Sequence, residues 1–431
     1  MVNTYAEALD YLYRNLPMFQ RVGVSAYKKD LTNTIELCRL LGDPQNKFKC
    51  IHVAGTNGKG SSSHMLASIF QASGYKTGLY TSPHLKEFTE RIKIDGSEIS
   101  HAFVVDFINR IIPAIESIHP SFFEITVAMA FEYFSLVGVD VAVIEVGLGG
   151  RLDSTNVITP ELSLITNIGW DHKDILGDTL QQIAYEKAGI IKPLVPVVIS
   201  ERKEQIDEVF IKQAAEMNAP ITFACDHIEV VQRLKGGKTF YDARSKGQFI
   251  IKDLLIPLQG YYQQKNLTGV LQAVGILMSK GWHITPSSLS DGLMNVVSKT
   301  GLKGRWQKLG ESPLIICDTG HNIDGLREVV HQIHAQTFEK LHIVFGVVKD
   351  KDLDAVLNIL PKDAFYYFCE AKIPRALDAA LLAEAAATRG LHGVVIQDVN
   401  EAVEKAKASA SSKDMIFIGG STFVVAELNN L

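Results

Sequence analysis

The sequence predicts an α/β protein, with a mostly parallel sheet covered by helices followed by a second, smaller strand–helix series. Three observations carry this expectation. Short apolar runs alternate with helix-length segments along most of the chain. The run Cys50-Ile51-His52-Val53-Ala54 opens onto Gly55-Thr56-Asn57-Gly58-Lys59-Gly60-Ser61 and then a stretch from Ser62 to Ala72 that can be helical, which is a strand–loop–helix order. Finally, the segment Ser298-Lys299-Thr300-Gly301-Leu302-Lys303-Gly304-Arg305 is glycine-rich and basic, as a linker between compact units would be. At 431 residues the chain exceeds one ordinary core, and the expected division is 1–298 and 299–431.

In chain order, Tyr5, Leu9, Leu12 and Tyr13 mark one helical stripe and Leu31, Ile35, Cys38 and Leu41 a second, which Gly42-Asp43-Pro44 stops. Strands are expected at Thr77 to Tyr80, Val141 to Val146, Leu162 to Thr166 and Val195 to Ser200. Polar alternation around Thr239-Phe240-Tyr241 and Phe249-Ile250-Ile251 suggests a small β appendage, and a helix resumes at Asn266 to Met278. Beyond the linker, strands are expected at Leu314 to Asp318, Leu341 to Phe345, Ala364 to Phe368, Val394 to Gln397 and Met415 to Ile418.

Composition narrows the function classes. Apolar residues make up 46% and charged residues 21%, and no apolar run is long enough to span a bilayer. The N-terminus lacks the basic start and apolar stretch of a signal peptide, so no membrane partner and a cytoplasmic location are expected. A net charge of −5 argues against a general nucleic-acid binder, so an anionic small molecule would need a local basic pocket. The five cysteines are odd in number and far apart, which favours reduced, buried thiols over disulfides or a metal cluster.

The run from Gly55 to Ser61 has the chemistry of a phosphate loop. Its glycines let backbone N–H groups turn onto an anion, the following helix adds its positive end, and Lys59 supplies a mobile charge, so a nucleoside triphosphate is implied. Its spacing departs from the common pattern, because Gly60 stands where a metal-binding hydroxyl usually follows the lysine. A magnesium ion would need oxygen ligands. Glu145, in the apolar run Val141 to Val146, is the foremost acidic candidate, with a carboxylate paired to a nearby lysine or arginine as the alternative. His172 is expected at a strand end beside Asp171, where metal or phosphate binding competes with an ordinary polar role. Ser82 and His84 read as a turn around Pro83. Lys187 reads from bare sequence as a salt bridge to Glu186 or a solvated helix face. Asp318 and His321, then Lys349, again follow apolar strands and suit a second surface facing the nucleotide across an interdomain cleft.

Together these residues resemble the folylpolyglutamate synthase and dihydrofolate synthase family, a branch of the Mur-type ATP-dependent amide ligases. The carrying segments are Phe48 to Ser61, Thr81 to Leu85, Glu90-Arg91-Ile92, Glu145 to Asn156 and Glu186 to Lys192, in order and at matching spacing over nearly the whole chain. The glycine after Lys59 is this branch's own variant. The resemblance implies an N-terminal Mur-ligase-type ATP-binding domain and a smaller C-terminal Rossmann-like domain. It implies that Gly55, Thr56, Asn57, Gly58, Lys59, Gly60 and Ser61 hold the ATP phosphates, that Ser82, Glu145 and His172 hold Mg2+, and that Lys187 is carbamylated. Asn266, Arg305, Asp318 and His321 would meet the nucleotide or phosphates from the interdomain side, while Phe123 and Asp153 would contact a pterin. A monovalent cation is a further candidate ligand. The implied reactants are ATP, L-glutamate and dihydropteroate or a reduced folate, acting on a monomer. Two positions depart from the family: Tyr262, where histidine is common, and Thr319-Gly320 before His321. The rival readings are a wall-precursor amino-acid ligase and a non-catalytic ATP-binding switch.

Overall fold

The computed structural model describes residues 1–18, 30–236 and 238–431. The chain divides into two compact units. Residues 1–257 and 263–301 form the first, and residues 258–262 and 302–431 the second. The division therefore differs from a contiguous 1–298/299–431 split. The segment Leu258–Tyr262 joins the second unit because the Tyr261 N–H donates to Gln332 Oε1 (2.7 Å), Gln332 Nε2 returns a bond to the Gln259 carbonyl (2.8 Å), and the Tyr262 hydroxyl donates to Asp318 (2.6 Å).

The first unit is built on strands β1 (Lys49–Ala54), β2 (Thr77–Tyr80), β3 (Ile92–Ile94), β4 (Ser97–Glu98), β5 (Val141–Glu145), β6 (Leu162–Ile165), β7 (Val197–Ile199) and β8 (Ile221–Phe223). They lie in the order β4-β3-β2-β5-β1-β6-β7-β8. Pairing is parallel in the order β2-β5-β1-β6-β7-β8, and the β2–β3 and β3–β4 pairs at one edge are antiparallel. The central strands are buried on both faces, as near-continuous Val/Ile/Leu runs require. The short β3, β4 and β8 escape a sequence reading because two to three residues carry no period.

The phosphate-loop helix runs Lys59–Ala72, three residues longer at its start than the sequence suggested, since Gly58 at φ +86° supplies its left-handed cap. The early helices are Tyr5–Asn15 and Thr32–Leu40. In the latter the buried face is Thr34, Leu37 and Cys38, and Ile35 points to solvent, so the expected stripe is rotated; the helix packs on the helix Phe122–Val137. The appendage is a three-stranded antiparallel sheet of β9 (Ile228–Lys235), β10 (Lys238–Ser245) and β11 (Gln248–Leu255).

The second unit carries β12 (Gln307–Glu311), β13 (Leu314–Cys317), β14 (Leu341–Phe345), β15 (Phe365–Phe368), β16 (His392–Val395) and β17 (Met415–Gly419), ordered β12-β13-β17-β14-β15-β16. All pairs but β12–β13 are parallel. The edge strand β16 is exposed along its length and starts two residues before the expected Val394, where burial left no apolar signal. Cys38, Cys50, Cys317 and Cys369 are buried free thiols, and Cys225 is exposed.

Candidate active site

The phosphate loop is held by a second strand-end loop, which follows β6. Thr56 N–H donates to the Asn167 carbonyl (2.9 Å), Asn57 N–H to Asn167 Oδ1 (2.8 Å), and Thr166 Oγ1 to the Asn57 carbonyl (2.6 Å). Thr56 Oγ1 both donates to the Gly169 carbonyl and accepts from its N–H. Thr166 and Asn167 therefore support the loop from the end of β6, and in the sequence Asn167 opens the polar strand-end run Asn167 to His172. From the other side, Gln263 Nε2 donates to Ser61 Oγ (3.1 Å) and Asn266 sits directly on Gly58, where an added Cβ would fall 2.1 Å from Asn266 Oδ1. Asn266 thus belongs to the first unit and supports the loop from beside it.

Two lysines converge on one atom. Lys59 Nζ and Lys187 Nζ each donate to the Gly55 carbonyl at 3.0 Å. Lys59 is half-buried and also reaches the Thr56 carbonyl. Lys187 is buried, so neither the salt bridge to Glu186 nor the solvated face applies: Glu186 pairs with Arg151 (2.7 Å) instead. Burial, reinforced by the charge of Lys59, pushes the Lys187 amine down to about 7.

Glu145 ends β5 with its carboxylate buried, and the Ser82 N–H donates to its Oε2 at 3.2 Å. Ser82 and Glu145 are thus together. His172 lies well past the end of β6 rather than on it, capping the short helix Lys173–Leu176 with φ +48°; its N–H donates to Asp171 Oδ1. Among the described residues, no group of three or more His, Cys, Asp or Glu is gathered to hold a metal by itself. A hard cation completing its shell with phosphate and water oxygens fits such a sparse oxygen set; a thiolate- or imidazole-caged metal does not.

Asp153 and Phe123 meet at the glycine-rich loop that follows β5. Phe123 presses on Gly147 so closely that an added Cβ would lie 2.3 Å from Phe123 Cζ. Asp153 is buried and accepts from Leu148 N–H (2.7 Å), Thr155 N–H (3.0 Å) and Thr155 Oγ1 (2.5 Å). Burial raises its carboxyl, against the lowering effect of those donors. The Thr155 hydroxyl in turn takes a bond from His52 Nε2 (2.8 Å), so Asp153 organises this loop as well as facing it. The loop rests on the Lys187 helix through Arg151 N–H to the Glu186 carbonyl (2.7 Å).

In the second unit, Asp318 is buried and is the acceptor for three donors: the Tyr262 hydroxyl (2.6 Å), Trp306 N–H (2.7 Å) and Gly320 N–H (2.7 Å). Burial raises its carboxyl, and the Tyr262 bond works against that. Arg305 donates to Thr319 Oγ1, and His321 Nδ1 lies 3.0 Å from the Thr319 carbonyl. Both departures from the family pattern, Tyr262 and Thr319, thus bond to the cluster of Arg305, Asp318 and His321 that the sequence singled out.

A phosphate loop seated on a parallel sheet, with a second, buried lysine on the loop's own carbonyl, defines an ATP-dependent amide ligase of the Mur type. Residues 53–274 match the Mur ligase middle domain and residues 304–422 the Mur ligase glutamate ligase domain. The chain is 31% identical to the dihydrofolate synthase/folylpolyglutamate synthase of Bacillus subtilis, over 99% of both chains. It is also 31% identical to a probable bifunctional folylpolyglutamate synthase/dihydropteroate synthase of Haloferax volcanii, covering 98% of this chain but spanning 50% of that protein's length. Among solved structures, a bifunctional folylpolyglutamate synthase/dihydrofolate synthase of Yersinia pestis complexed with AMPPNP and Mn ion matches with a TM-score of 0.83 at 27% identity, over 99% of this chain and 97% of that one. The chain belongs to the folylpolyglutamate synthase/dihydrofolate synthase family of Mur ligases. No helix of the described residues is long and apolar enough to cross a membrane.

Proposed function

We propose that this enzyme ligates L-glutamate to the carboxylate of a pteroyl acid, dihydropteroate or a reduced folate, through an acyl phosphate made from ATP. One observation carries the reading: the buried Lys187 amine shares the Gly55 carbonyl with Lys59. A nucleotide switch has no use for a second, desolvated amine inside its phosphate loop, whereas a ligase needs a group there to orient the activated acid. Family membership favours the folate branch over a wall-precursor ligase.

In the first step an oxygen of the acid's carboxylate forms a bond to the γ-phosphorus as the bond to the β–γ bridging oxygen breaks, and ADP leaves. In the second, the glutamate nitrogen attacks the acyl carbon, the carbon–oxygen bond to phosphate breaks, and the amine loses a proton as phosphate departs. Lys59 and the N–H groups of the Gly55–Ser61 loop offset negative charge on the transferring phosphoryl group. Lys187, depressed to about 7 by burial, has neutral amine available at physiological pH whose nitrogen can bond the carbon of CO2 and release one proton to solvent, leaving a carbamate anion beside the loop. Ser82, Glu145 and His172 would hold Mg2+, which when bound supplies charge compensation on the phosphates. The Phe123 ring and the Asp153 loop would flank the pterin, and Arg305, Asp318 and His321 would serve the nucleotide.

The test is glutamate-dependent phosphate release by purified protein with ATP and magnesium, offering dihydropteroate and a reduced folate separately. Phosphate release with at least one acceptor and none without glutamate is expected. ATP turnover indifferent to both acceptors and to glutamate would overturn the reading.

A further inference from the structure

We propose that His84, locked by Arg91 in the tautomer that carries its proton on Nε2, is a further substrate-binding residue whose Nε2–H donates to an anionic oxygen of the acid being activated. The proposal rests on the ligase reading above and adds a residue to which that reading assigns no role.

The lock follows from donor chemistry. Arg91 Nε donates to His84 Nδ1 at 2.8 Å. A guanidinium has only donors and keeps its protons in proteins, so Nδ1 must be the acceptor and the ring proton sits on Nε2. Arg91 is 3% exposed and its guanidinium lies over the Phe122 ring, 5.3 Å from the centroid. Among the described residues no carboxylate lies within ion-pair distance of it, and residues 19–29 and 237 contain no Asp or Glu. A buried charge without a salt bridge is costly, which sets Arg91 apart from a routine structural pair.

The surrounding loop is rigid in a way a simple turn does not need. The Glu90 carboxylate accepts from the N–H groups of Leu85 (2.7 Å), Lys86 (3.0 Å) and Glu87 (3.1 Å), and the Arg91 carbonyl accepts from Thr81 N–H (3.0 Å). Residues 81–91 are thus fastened at both ends around His84, with its ring half-buried. No described residue accepts from Nε2, and that nitrogen is not fully sealed in the interior, so an acceptor on a bound molecule can still reach it. Ser82, two residues away, donates to Glu145, and Phe123 follows the Phe122 ring that supports Arg91. A fixed donor beside a buried cation, two residues from a proposed metal contact, suits a carboxylate or acyl-phosphate oxygen.

The experiment combines kinetics with a spectroscopic reading. His84→Ala is expected to lower kcat/KM for the pteroyl acid roughly 10- to 100-fold, the range of a charge-assisted hydrogen bond, with the KM values for ATP and glutamate within about twofold of the parent enzyme. His84→Gln, which keeps a donor near the Nε2 position, should recover much of the loss. Long-range 1H–15N spectra of histidine-labelled enzyme, assigned against His84→Gln, should show His84 protonated at Nε2 only, and this pattern should be lost in Arg91→Gln. An unchanged kcat/KM in His84→Ala, a loss confined to glutamate, or a proton on Nδ1 would overturn the proposal. If the parent enzyme proved inactive on every pteroyl acid, the ligase reading would fail, while the spectrum would still decide whether Arg91 sets the tautomer.

Discussion

Replacing Lys187 tests the part of the site where bare sequence pointed the wrong way. Its amine is depressed from 10.5 to about 7, chiefly by burial. At pH 7 roughly half of it is neutral, against roughly one in 3,000 for an ordinary lysine, so carbamate formation needs no alkaline medium. Lys187→Ala and Lys187→Arg should each lose on the order of 100-fold or more in glutamate-dependent phosphate release, the alanine lacking any anion and the arginine unable to form one. A short carboxylic acid added to Lys187→Ala should restore part of the activity, and a 13CO2-labelled NMR spectrum of the parent enzyme should show a carbamate signal absent from both variants. The same depression has a stability signature in CO2-depleted buffer. Between about 7 and 10.5 the unfolded chain holds a proton here that the folded chain does not, so this lysine's contribution is fully present above about 10.5 and is lost as pH falls through about 7. The full span corresponds to on the order of 5 kcal/mol, and Lys187→Met should flatten the rise of unfolding free energy with pH over that window. Full activity in Lys187→Arg, or identical pH slopes for the parent and Lys187→Met, would refute the reasoning.

Lys59→Ala should abolish ligation while leaving the thermal midpoint within a few degrees, because a half-buried loop side chain is removed rather than core volume; near-normal turnover at saturating ATP would sink the phosphate-loop assignment. Glu145→Gln and His172→Ala should each raise the magnesium concentration needed for half-maximal rate, read by metal titration of phosphate release, and unchanged titrations in both would make these residues structural. Gly58→Ala should weaken nucleotide binding at least tenfold by calorimetry, since φ +86° costs an alanine about 1–2 kcal/mol and its Cβ would drive Asn266 away; binding as tight as in the parent would mean the loop reshapes freely.

Much of this molecule was legible before folding was considered. The apolar runs that became β1, β2, β5 and β6 are buried on both faces, so their composition alone marks them, and the order strand, glycine loop, lysine and helix specifies a phosphate loop wherever it occurs. Local chemistry placed Ser82 and Glu145 near strand ends, and the two do meet. What it could not supply was the partner of any side chain distant in sequence. Lys187 lies beside Glu186 in the chain, yet the helix turns the two apart, sending one to Arg151 and the other to Gly55, 132 residues away. Asn167's partner was hidden for the same reason: its side chain accepts from the Asn57 N–H, a bond that exists only once β1 and β6 pair in register. Arg91 and Tyr262 likewise acquired their partners, His84 and Asp318, from the folded backbone. Periodicity and motif spacing report on neighbours within a few residues, whereas desolvation and hydrogen-bond geometry depend on which strands and loops the tertiary structure sets side by side.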